Sequence, residues 1–151
     1  MISIIILNYN AGNLLIDCIS SIINSNLKDF EIILVDNCSS DNSHLDCKKK
    51  FDSIKLIENK ENLGYCEGNN VGLRAASGDF LMILNPDTTV TPDWADELLS
   101  AYQKFGDGLY QPKILSMLEP KRLGTTGNIV NIFGFGFSPC RRLCMYVCMY
   151  V

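Results

Sequence analysis

Five predicted strands alternate with stretches of helical periodicity along the first 115 residues of the chain, at 2–7, 32–35, 54–57, 80–84 and 109–115. The first, second and fourth are apolar runs that lead directly into Asn or Asp. Such runs are typical of strands buried on both faces of a sheet. This alternation predicts a three-layer α/β fold, in which a mostly parallel sheet carries helices on both faces.

Two helices are predicted in the first half of the chain. Asn13 can cap the first, whose apolar side chains recur at three- and four-residue intervals. The second helix, from about residue 39 to residue 50, is polar throughout. His44 lies within it and is the only histidine, and we expect it to be an ordinary surface residue.

Two further helices are predicted beyond residue 60. One runs from about residue 65 to residue 76, with Gly78 as its C-terminal glycine. Thr91 can cap the next, because the proline that follows it suits the first helical position. The buried face of that helix is predicted to consist of Trp94, Leu98, Tyr102 and Phe105.

Charge and cysteine content restrict the expected partners and surroundings. The net charge is -4, and since phosphate backbones need clustered Lys and Arg, no nucleic acid partner is expected. The apolar run at residues 2–7 lacks a basic leader and is too short to span a bilayer. We therefore expect a cytoplasmic protein, in solution or peripheral at the inner face of the membrane. The seven cysteines lack zinc-site spacing and are expected to be reduced.

Polar residues follow directly after three of the predicted strands. These clusters are Asn8-Tyr9-Asn10, Asp36-Asn37 and Asn85-Pro86-Asp87. In open parallel sheets, ligands bind beyond the carboxyl ends of the strands, where the strand order reverses. The sequence therefore predicts a ligand site built from these clusters.

The loop after the first strand narrows the chemistry of that site. Gly12 is the only glycine in it, so the GxGxxG pattern for dinucleotides is missing, and no GxxxxGK[ST] phosphate loop occurs. A divalent cation is the natural substitute for a cationic phosphate loop. Asp87 is the best candidate ligand, because Mg²⁺ and Mn²⁺ prefer oxygen ligands. Diphosphate oxygens and water would fill the rest of the coordination shell of the ion.

Five motifs follow one another in order between residue 2 and about residue 115. They are IIILNYN at 4–10, EIILVDNCSSD at 31–41, NLGY at 62–65, GNNVG at 68–72 and LNPDT at 84–88. Together they resemble the start of the family 2 glycosyltransferases, and the Asn-Pro-Asp-Thr form is similar to the rhamnosyltransferase-type branch. The resemblance implies the GT-A fold, which is Rossmann-like, and a nucleoside-diphosphate sugar as donor.

The same resemblance implies a nucleotide pocket. Asn8, Tyr9 and Asn10 would line the base and ribose. Asp36, which Asn37 follows, would accept a hydrogen bond from the imide N–H of uracil or thymine. The Tyr9 ring could stack on the base or pack behind the sheet, and the sequence leaves both open.

Four later residues complete the implied site. Gly68 and Asn70 would lie beside the nucleotide. Asp87 matches the last Asp of the family's metal motif and would bind Mg²⁺ or Mn²⁺. Asn85 stands where the first Asp of that motif often does, and its amide can bond ribose or metal-bound water without adding charge.

The predicted function is metal-assisted, inverting transfer of a sugar from a UDP- or dTDP-linked donor to a saccharide or lipid-linked acceptor. The donor domain is predicted at 1–115, and 116–151 would begin the acceptor half or form an irregular tail. The catalytic base is expected beyond Val151, since the only acid after Asp107 is Glu119, beside a predicted turn.

Other functions remain open at this point. The chain could be a non-catalytic nucleotide-sugar-binding module, working as a regulator or as part of an assembly. It could also be a sugar nucleotidyltransferase or a nucleotide-sugar hydrolase on a similar fold. The apolar segment at 129–137 further predicts a homodimer that buries it.

Overall fold

The computed structural model describes residues 1–115 and four short strand segments, at 123–125, 129–130, 136–137 and 148–150. The chain divides into two compact units. One comprises residues 1–20 and 28–88, and the other comprises 21–27 and 89–151. The domain boundary that the sequence suggests at residue 115 stays a prediction.

The first unit is built on strands β1 to β4. They span Ile2–Asn8, Phe30–Asp36, Lys55–Glu58 and Phe80–Leu84. All neighbours are parallel, and the order across the sheet is β3-β2-β1-β4. The chain therefore moves outward from β1 to β3 and then returns to the other side of β1. That return places the reversal of strand order between β1 and β4.

Three helices connect these strands. They are α1 at Asn13–Ile23, α2 at Ser43–Lys50 and α3 at Gly64–Ala75. This arrangement, with a mostly parallel sheet and helical connections, confirms the predicted α/β class. Helix α2 begins several residues later than its sequence suggests, because Asn42 takes a left-handed backbone with a φ of 59° just before it.

The core of the first unit consists of the β-branched runs that identify the strands. Ile4, Ile5 and Ile6 in β1 are fully buried, as are Ile33, Leu34 and Val35 in β2. On α1, Leu15, Cys18 and Ile19 are buried at helical spacing. Burying one such aliphatic side chain contributes about 1.5–3 kcal/mol, so this apolar set holds the polar strand ends in place.

Helix α3 approaches the sheet closely because glycines face it. A Cβ added at Gly72 would lie 2.4 Å from Ile5 Cγ2 and 3.0 Å from Val35 Cγ2. A Cβ at Gly68 would lie 2.5 Å from Cδ1 of Leu7, the movable end of a longer side chain. The Ile5 and Val35 carbons that face Gly72 are attached to the β-carbon and cannot move far. The end of the Leu7 side chain can move, so only the Gly68 position can accept a methyl group at low cost.

Gly72→Ala is therefore expected to lower the free energy of unfolding by about 1–2 kcal/mol, as overpacking outweighs the better helix propensity of alanine. Gly68→Ala is the matched variant on the same helix face, and we expect it to change stability by less than about 0.5 kcal/mol. Urea titrations followed by circular dichroism measure both. A Gly68→Ala loss equal to that of Gly72→Ala would refute this packing difference.

Gly78 does not end α3 as predicted. The C-cap is Ala76, with ordinary extended backbone. Gly78 is instead required by close packing, because a Cβ there would lie 2.7 Å from the backbone nitrogen of Ser3.

The second unit contains helix α4 and a small sheet. Helix α4 spans Trp94–Phe105, and a four-stranded sheet has the order β5-β10-β6-β7. In that order, the strands are β5 at Thr89–Val90, β10 at Cys148–Tyr150, β6 at Lys113–Leu115 and β7 at Leu123–Thr125. A separate antiparallel pair consists of β8 at Ile129–Val130 and β9 at Gly136–Phe137.

Three predictions for α4 and its flanks were wrong. The helix begins after Asp93 and not at Thr91, whose carbonyl accepts a hydrogen bond from the Trp94 N–H. Trp94 is fully buried as expected, but Phe105 is 57 % exposed because the last turn of the helix leaves the core. Residues 109–112 are not in a strand, which begins only at Lys113.

Two sequence expectations concern membranes and association. Within the described residues, no helix combines the length and apolarity needed to cross a bilayer. The proposed dimer segment at 129–137 falls largely outside the described residues, and its role in association stays a prediction.

Candidate functional site

The predicted polar clusters meet at the carboxyl edge of the first unit's sheet. Asn8 and Asp36 are register partners at the ends of β1 and β2. On the other side of β1, Ile6 pairs with Leu84, so Asn85–Asp87 leaves β4 next to the same strand end. The clusters therefore lie where the strand order reverses, as the parallel topology predicts.

Asn8 is the centre of a buried hydrogen-bond network. Its Nδ2 lies 2.8 Å from Asp36 Oδ1, 3.0 Å from Ser39 Oγ and 2.9 Å from Ser43 Oγ. One amide carries two N–H groups, so these three acceptors share two hydrogens. Since Asn8 is fully buried, it does not line an open pocket as predicted but supports the loop after β2 from beneath.

Asp36 is an internal carboxylate. It is 3 % exposed, its Oδ1 accepts from Asn8, and its Oδ2 accepts from the Ser39 N–H at 2.9 Å. Hydrogen bonds to an ionised carboxylate are roughly twice as strong as neutral ones, so this residue fixes the start of the β2–α2 loop.

Asn37 fastens a second loop. Its Nδ2 donates to Asn62 Oδ1 at 2.7 Å, and its Oδ1 accepts from Asn59 Nδ2 at 3.1 Å and from the Leu63 N–H at 3.0 Å. Asn37 is 2 % exposed. Its amide therefore ties the loop between β3 and α3 to the end of β2.

Tyr9 and Asn10 are the exposed members of the first cluster. The Tyr9 ring is 53 % exposed, so it does not pack behind the sheet, and of the two readings only stacking on a ligand stays a prediction. Asn10 Oδ1 accepts from the Ser40 N–H at 2.8 Å, and its own N–H donates to Ser39 Oγ at 3.0 Å. The loops after β1 and β2 are thus bonded to each other.

Left-handed backbone is concentrated in these two loops. Asn10, Cys38 and Asn42 have φ values of 55°, 67° and 59°. Asn tolerates this region, but a cysteine there costs about 1–2 kcal/mol. Backbone strain of this kind is typical of binding sites.

Asp41 links the loop after β1 to the start of α2 through two hydrogen bonds. Its Oδ2 accepts from the Gly12 N–H at 2.9 Å and its Oδ1 from the Ser43 N–H at 3.0 Å. Desolvation raises the pKa of Asp41, but the hydrogen bonds from Ser43 and Gly12 outweigh it and the net pKa is lowered. The carboxylate therefore stays ionised at neutral pH.

The predicted metal ligand lies on a tight turn. The Thr88 N–H donates to the Asn85 carbonyl at 3.2 Å, with Pro86 and Asp87 in between, and the Asp87 side chain is exposed. Cys18 Sγ also lies 3.6 Å from the Asn85 carbonyl. Burial first, then the charges of nearby groups including Asp87, raise the pKa of Cys18 to about 12, so a neutral thiol packs beneath this turn.

Tyr65 contacts one of the predicted site residues and was not itself predicted from the sequence. Its hydroxyl lies 3.3 Å from Asn85 Oδ1, and its ring is 60 % exposed. When the hydroxyl donates to that oxygen, the Asn85 amide N–H₂ group faces elsewhere and can donate to a ligand. The motif at 62–65 was the available signal, since it already contains Tyr65.

Gly68 and Asn70 lie on α3. Gly68 is buried beneath Leu7, which gives it a packing role. Asn70 is exposed and donates to Glu67 Oε2 at 3.2 Å, and Arg74 pairs with Glu67 at 2.5 Å. Arg74, followed by Asn70, lowers the pKa of Glu67.

His44 is buried, and the prediction of an ordinary surface residue was wrong. It is 6 % exposed, and its ring lies between two carboxylates, with Nδ1 3.2 Å from Asp36 Oδ1 and Nε2 3.4 Å from Glu58 Oε1. A polar helix predicts solvent on all sides, but the strand ends beneath this turn supply polar partners.

Few side chains at this edge of the sheet could bind a metal ion. No three His, Cys, Asp or Glu side chains are grouped to hold an ion within the part of the chain that the structure describes. Asp87 supplies one exposed carboxylate, with the Asn85 amide two residues away. Such a donor set fits a hard cation that takes its other ligands from a diphosphate and water.

Relatives of known sequence share this organisation. The glycosyl transferase family 2 profile matches residues 3–133. An uncharacterized glycosyltransferase of Haemophilus influenzae is 32% identical over 131 residues, which is 85% of this chain and 41% of that protein. The low-salt glycan biosynthesis hexosyltransferase Agl10 of Haloferax volcanii is 31% identical over 76% of this chain and 37% of its own length. The chain thus spans less than half the length of these relatives.

Solved structures show the same fold. S. aureus TarS 1-349 in complex with UDP-GlcNAc superposes with a TM-score of 0.63 at 20% identity, covering 74% of this chain and 37% of that one. The family match over most of the sequence, together with the strand order and the motifs at the sheet edge, identifies the chain as a member of glycosyl transferase family 2 with a GT-A-type fold.

Proposed function

We propose that this chain binds a UDP- or dTDP-linked sugar and serves the transfer of that sugar to a saccharide or lipid-linked acceptor. The observation that carries the proposal is the meeting of three polar strand ends at the reversal of strand order, with Asp87 exposed beside them. The complex of TarS with UDP-GlcNAc supports a nucleotide sugar as the ligand class.

The nucleotide would lie over the two bonded loops after β1 and β2. Tyr9 offers an exposed ring for stacking on the base, and Asn10 is held beside it by Ser39 and Ser40. A direct bond from the base to Asp36 needs the buried carboxylate to become accessible. We therefore propose that Asp36 acts mainly by orienting the Ser39 loop, and that its base contact is the less favoured role.

The diphosphate would lie next to Asp87. In this proposal Asp87 holds Mg²⁺ or Mn²⁺, and the Asn85 amide donates to a ribose or phosphate oxygen. The cation would offset the negative charge that develops on the departing nucleoside diphosphate. The exposed position of Asp87 on a turn with a proline at its second residue suits a rigid, solvent-facing ligand.

The transfer itself needs a base for the acceptor hydroxyl. We propose that this base lies outside the donor-binding segment at 1–115, because the relatives are more than twice as long as the segment that matches this chain. An inverting outcome and membership of the rhamnosyltransferase-type branch are parts of the same proposal, which the Asn-Pro-Asp-Thr motif supports.

The proposal predicts that UDP or dTDP binds with Mg²⁺ and at least about tenfold more weakly in excess EDTA, a difference of about 1.4 kcal/mol. Isothermal titration calorimetry with UDP, dTDP, ADP and GDP measures both the metal effect and base selectivity. Equal affinities with and without metal would refute the role of Asp87. Equal affinities for purine and pyrimidine nucleotides would refute the base pocket. Release of pyrophosphate from a nucleoside triphosphate and a sugar 1-phosphate, or its consumption together with a sugar nucleotide, would favour the nucleotidyltransferase alternative.

A further inference from the structure

Two carboxylates stand side by side at the edge of the sheet. Asp36 and Glu58 are register partners at the ends of β2 and β3. Asp36 is almost fully buried, while the Glu58 side chain is 59 % exposed. Like charges on directly paired strand positions are destabilising, and a buried charge is costly unless a partner compensates it.

His44 is the group that lies between them. It enters from the first turn of α2, and its two ring nitrogens face the two carboxylates at 3.2 Å and 3.4 Å. Nδ1 has no hydrogen-bond partner among the described residues, although a carboxylate oxygen lies 3.2 Å away. The contacts are therefore ionic, and their strength depends on the charge of the ring.

The charge of the ring decides whether both contacts are favourable. A neutral imidazole carries one N–H and one lone pair, so one of its nitrogens would turn a lone pair toward a carboxylate. An imidazolium presents an N–H to each side and adds a positive charge between two negative ones. Both contacts are therefore favourable only when the ring is a cation.

We infer that His44 is a positioning residue of the nucleotide site: as a cation it compensates Asp36 and so holds the loop that carries Ser39. This inference rests on the proposed function. Asp36 bonds the Ser39 N–H, and Ser39 in turn accepts from the Asn10 N–H beside Tyr9. Loss of the His44 charge leaves Asp36 buried beside Glu58 without a cation and loosens this chain of bonds.

Nucleotide affinity should therefore be lower once a rise in pH has removed the charge of the ring. The groups facing His44 are Asp36 from β2 and Glu58 from β3. Its neighbour Cys47 has its pKa raised to about 11 by burial, and Asp41 has a lowered pKa, so neither changes charge between about pH 5 and about pH 8.

The test is calorimetric titration with UDP-N-acetylglucosamine in Mg²⁺ from about pH 5 to about pH 8, a range in which its diphosphate diester keeps its charge. For the parent chain we expect affinity to fall roughly three- to tenfold across the range. Glu58→Gln removes one of the two facing carboxylates at an exposed position, and should move the midpoint of this fall to lower pH.

Two more variants complete the design. His44→Gln removes the titrating group, and should give a weaker affinity that no longer varies with pH. Glu61→Gln makes the same charge change as Glu58→Gln in the exposed loop after β3, and should leave the midpoint unchanged. Thermal melts at each pH establish that every variant is folded; if His44→Gln is not, Glu58→Gln decides alone.

The outcomes are distinct. A parent affinity that is flat with pH, or a midpoint that Glu58→Gln and Glu61→Gln shift equally, overturns the role of His44 and leaves the proposed function intact. Absence of any nucleotide-sugar binding at every pH overturns the proposed function, and the role of His44 with it.

Discussion

Asp87→Asn is expected to weaken binding of UDP-N-acetylglucosamine in Mg²⁺ about ten- to hundredfold, and to leave the affinity in EDTA nearly unchanged. Asp87 is exposed on a turn held by the Thr88–Asn85 bond, so its replacement by an isosteric amide removes charge without disturbing a buried contact. The neutral amide is a poor ligand for a hard cation, and the metal bridge to the diphosphate is lost. Calorimetry with and without EDTA separates these two effects.

Asp52→Asn provides the matched control. Asp52 is fully exposed near the amino end of β3, and its nearest cation is Lys48 at 3.9 Å. We expect this variant to bind like the parent under both conditions. If Asp87→Asn and Asp52→Asn lose affinity equally, the loss reflects net charge alone and Asp87 is not a metal ligand.

Asn8→Asp is expected to destabilise the fold by about 3–5 kcal/mol at neutral pH. The Asn8 amide lies 2.8 Å from Asp36 Oδ1 in a fully buried position, so the new carboxylate would face an existing one without a donor between them. Two carboxyls this close share a proton, and the folded variant binds more protons than its unfolded chain. The loss in free energy of unfolding relative to the parent is then largest at neutral pH, and it becomes smaller as the pH falls toward about 4.

Urea unfolding of the parent and the variant at about pH 7 and about pH 5 measures this difference. Asn8→Ala is the control, because it removes the same donor from Asp36 without adding charge and should cost about 1.5–3 kcal/mol at both values. A deficit for Asn8→Asp that is the same at both pH values would contradict the buried like-charge pair.

Much of the first unit could be predicted because burial leaves a direct mark on the sequence. Continuous β-branched runs identify strands covered on both faces, and the strands at residues 2–8 and 80–84 were placed to within a residue. The parallel topology then explains why the polar strand ends converge. Helix boundaries were less accurate, since Asn42 and Asp93 override the caps that the sequence offered.

The meeting of the polar strand ends could be predicted from the sequence, but the arrangement of their side chains could not. Asn8 and Tyr9 were expected to line one pocket together, yet Asn8 is fully buried at the end of β1, while Tyr9 lies in the loop after that strand and is exposed. Asp36 and Asn37 are both internal, and side-chain amides far away in the sequence bond to them. These partners depend on strand register, which a single sequence does not contain.

His44 shows the same limit most clearly. Its helix is polar, which predicts an exposed face, and the acids that contact it come from two other strands. Only the pairing of Asp36 with Glu58 brings those acids together. A residue that seems ordinary in sequence can therefore lie beneath the site once the register is known.

The most direct test of the central claim is the position of the metal. Crystals grown with UDP-N-acetylglucosamine and Mn²⁺ allow the ion to be located by its anomalous scattering. We predict a single strong peak within about 2–2.5 Å of an Asp87 carboxylate oxygen and of oxygens on the diphosphate. A diphosphate bound at the carboxyl edge of the sheet with manganese absent from Asp87, or a manganese peak remote from that edge, would contradict the account.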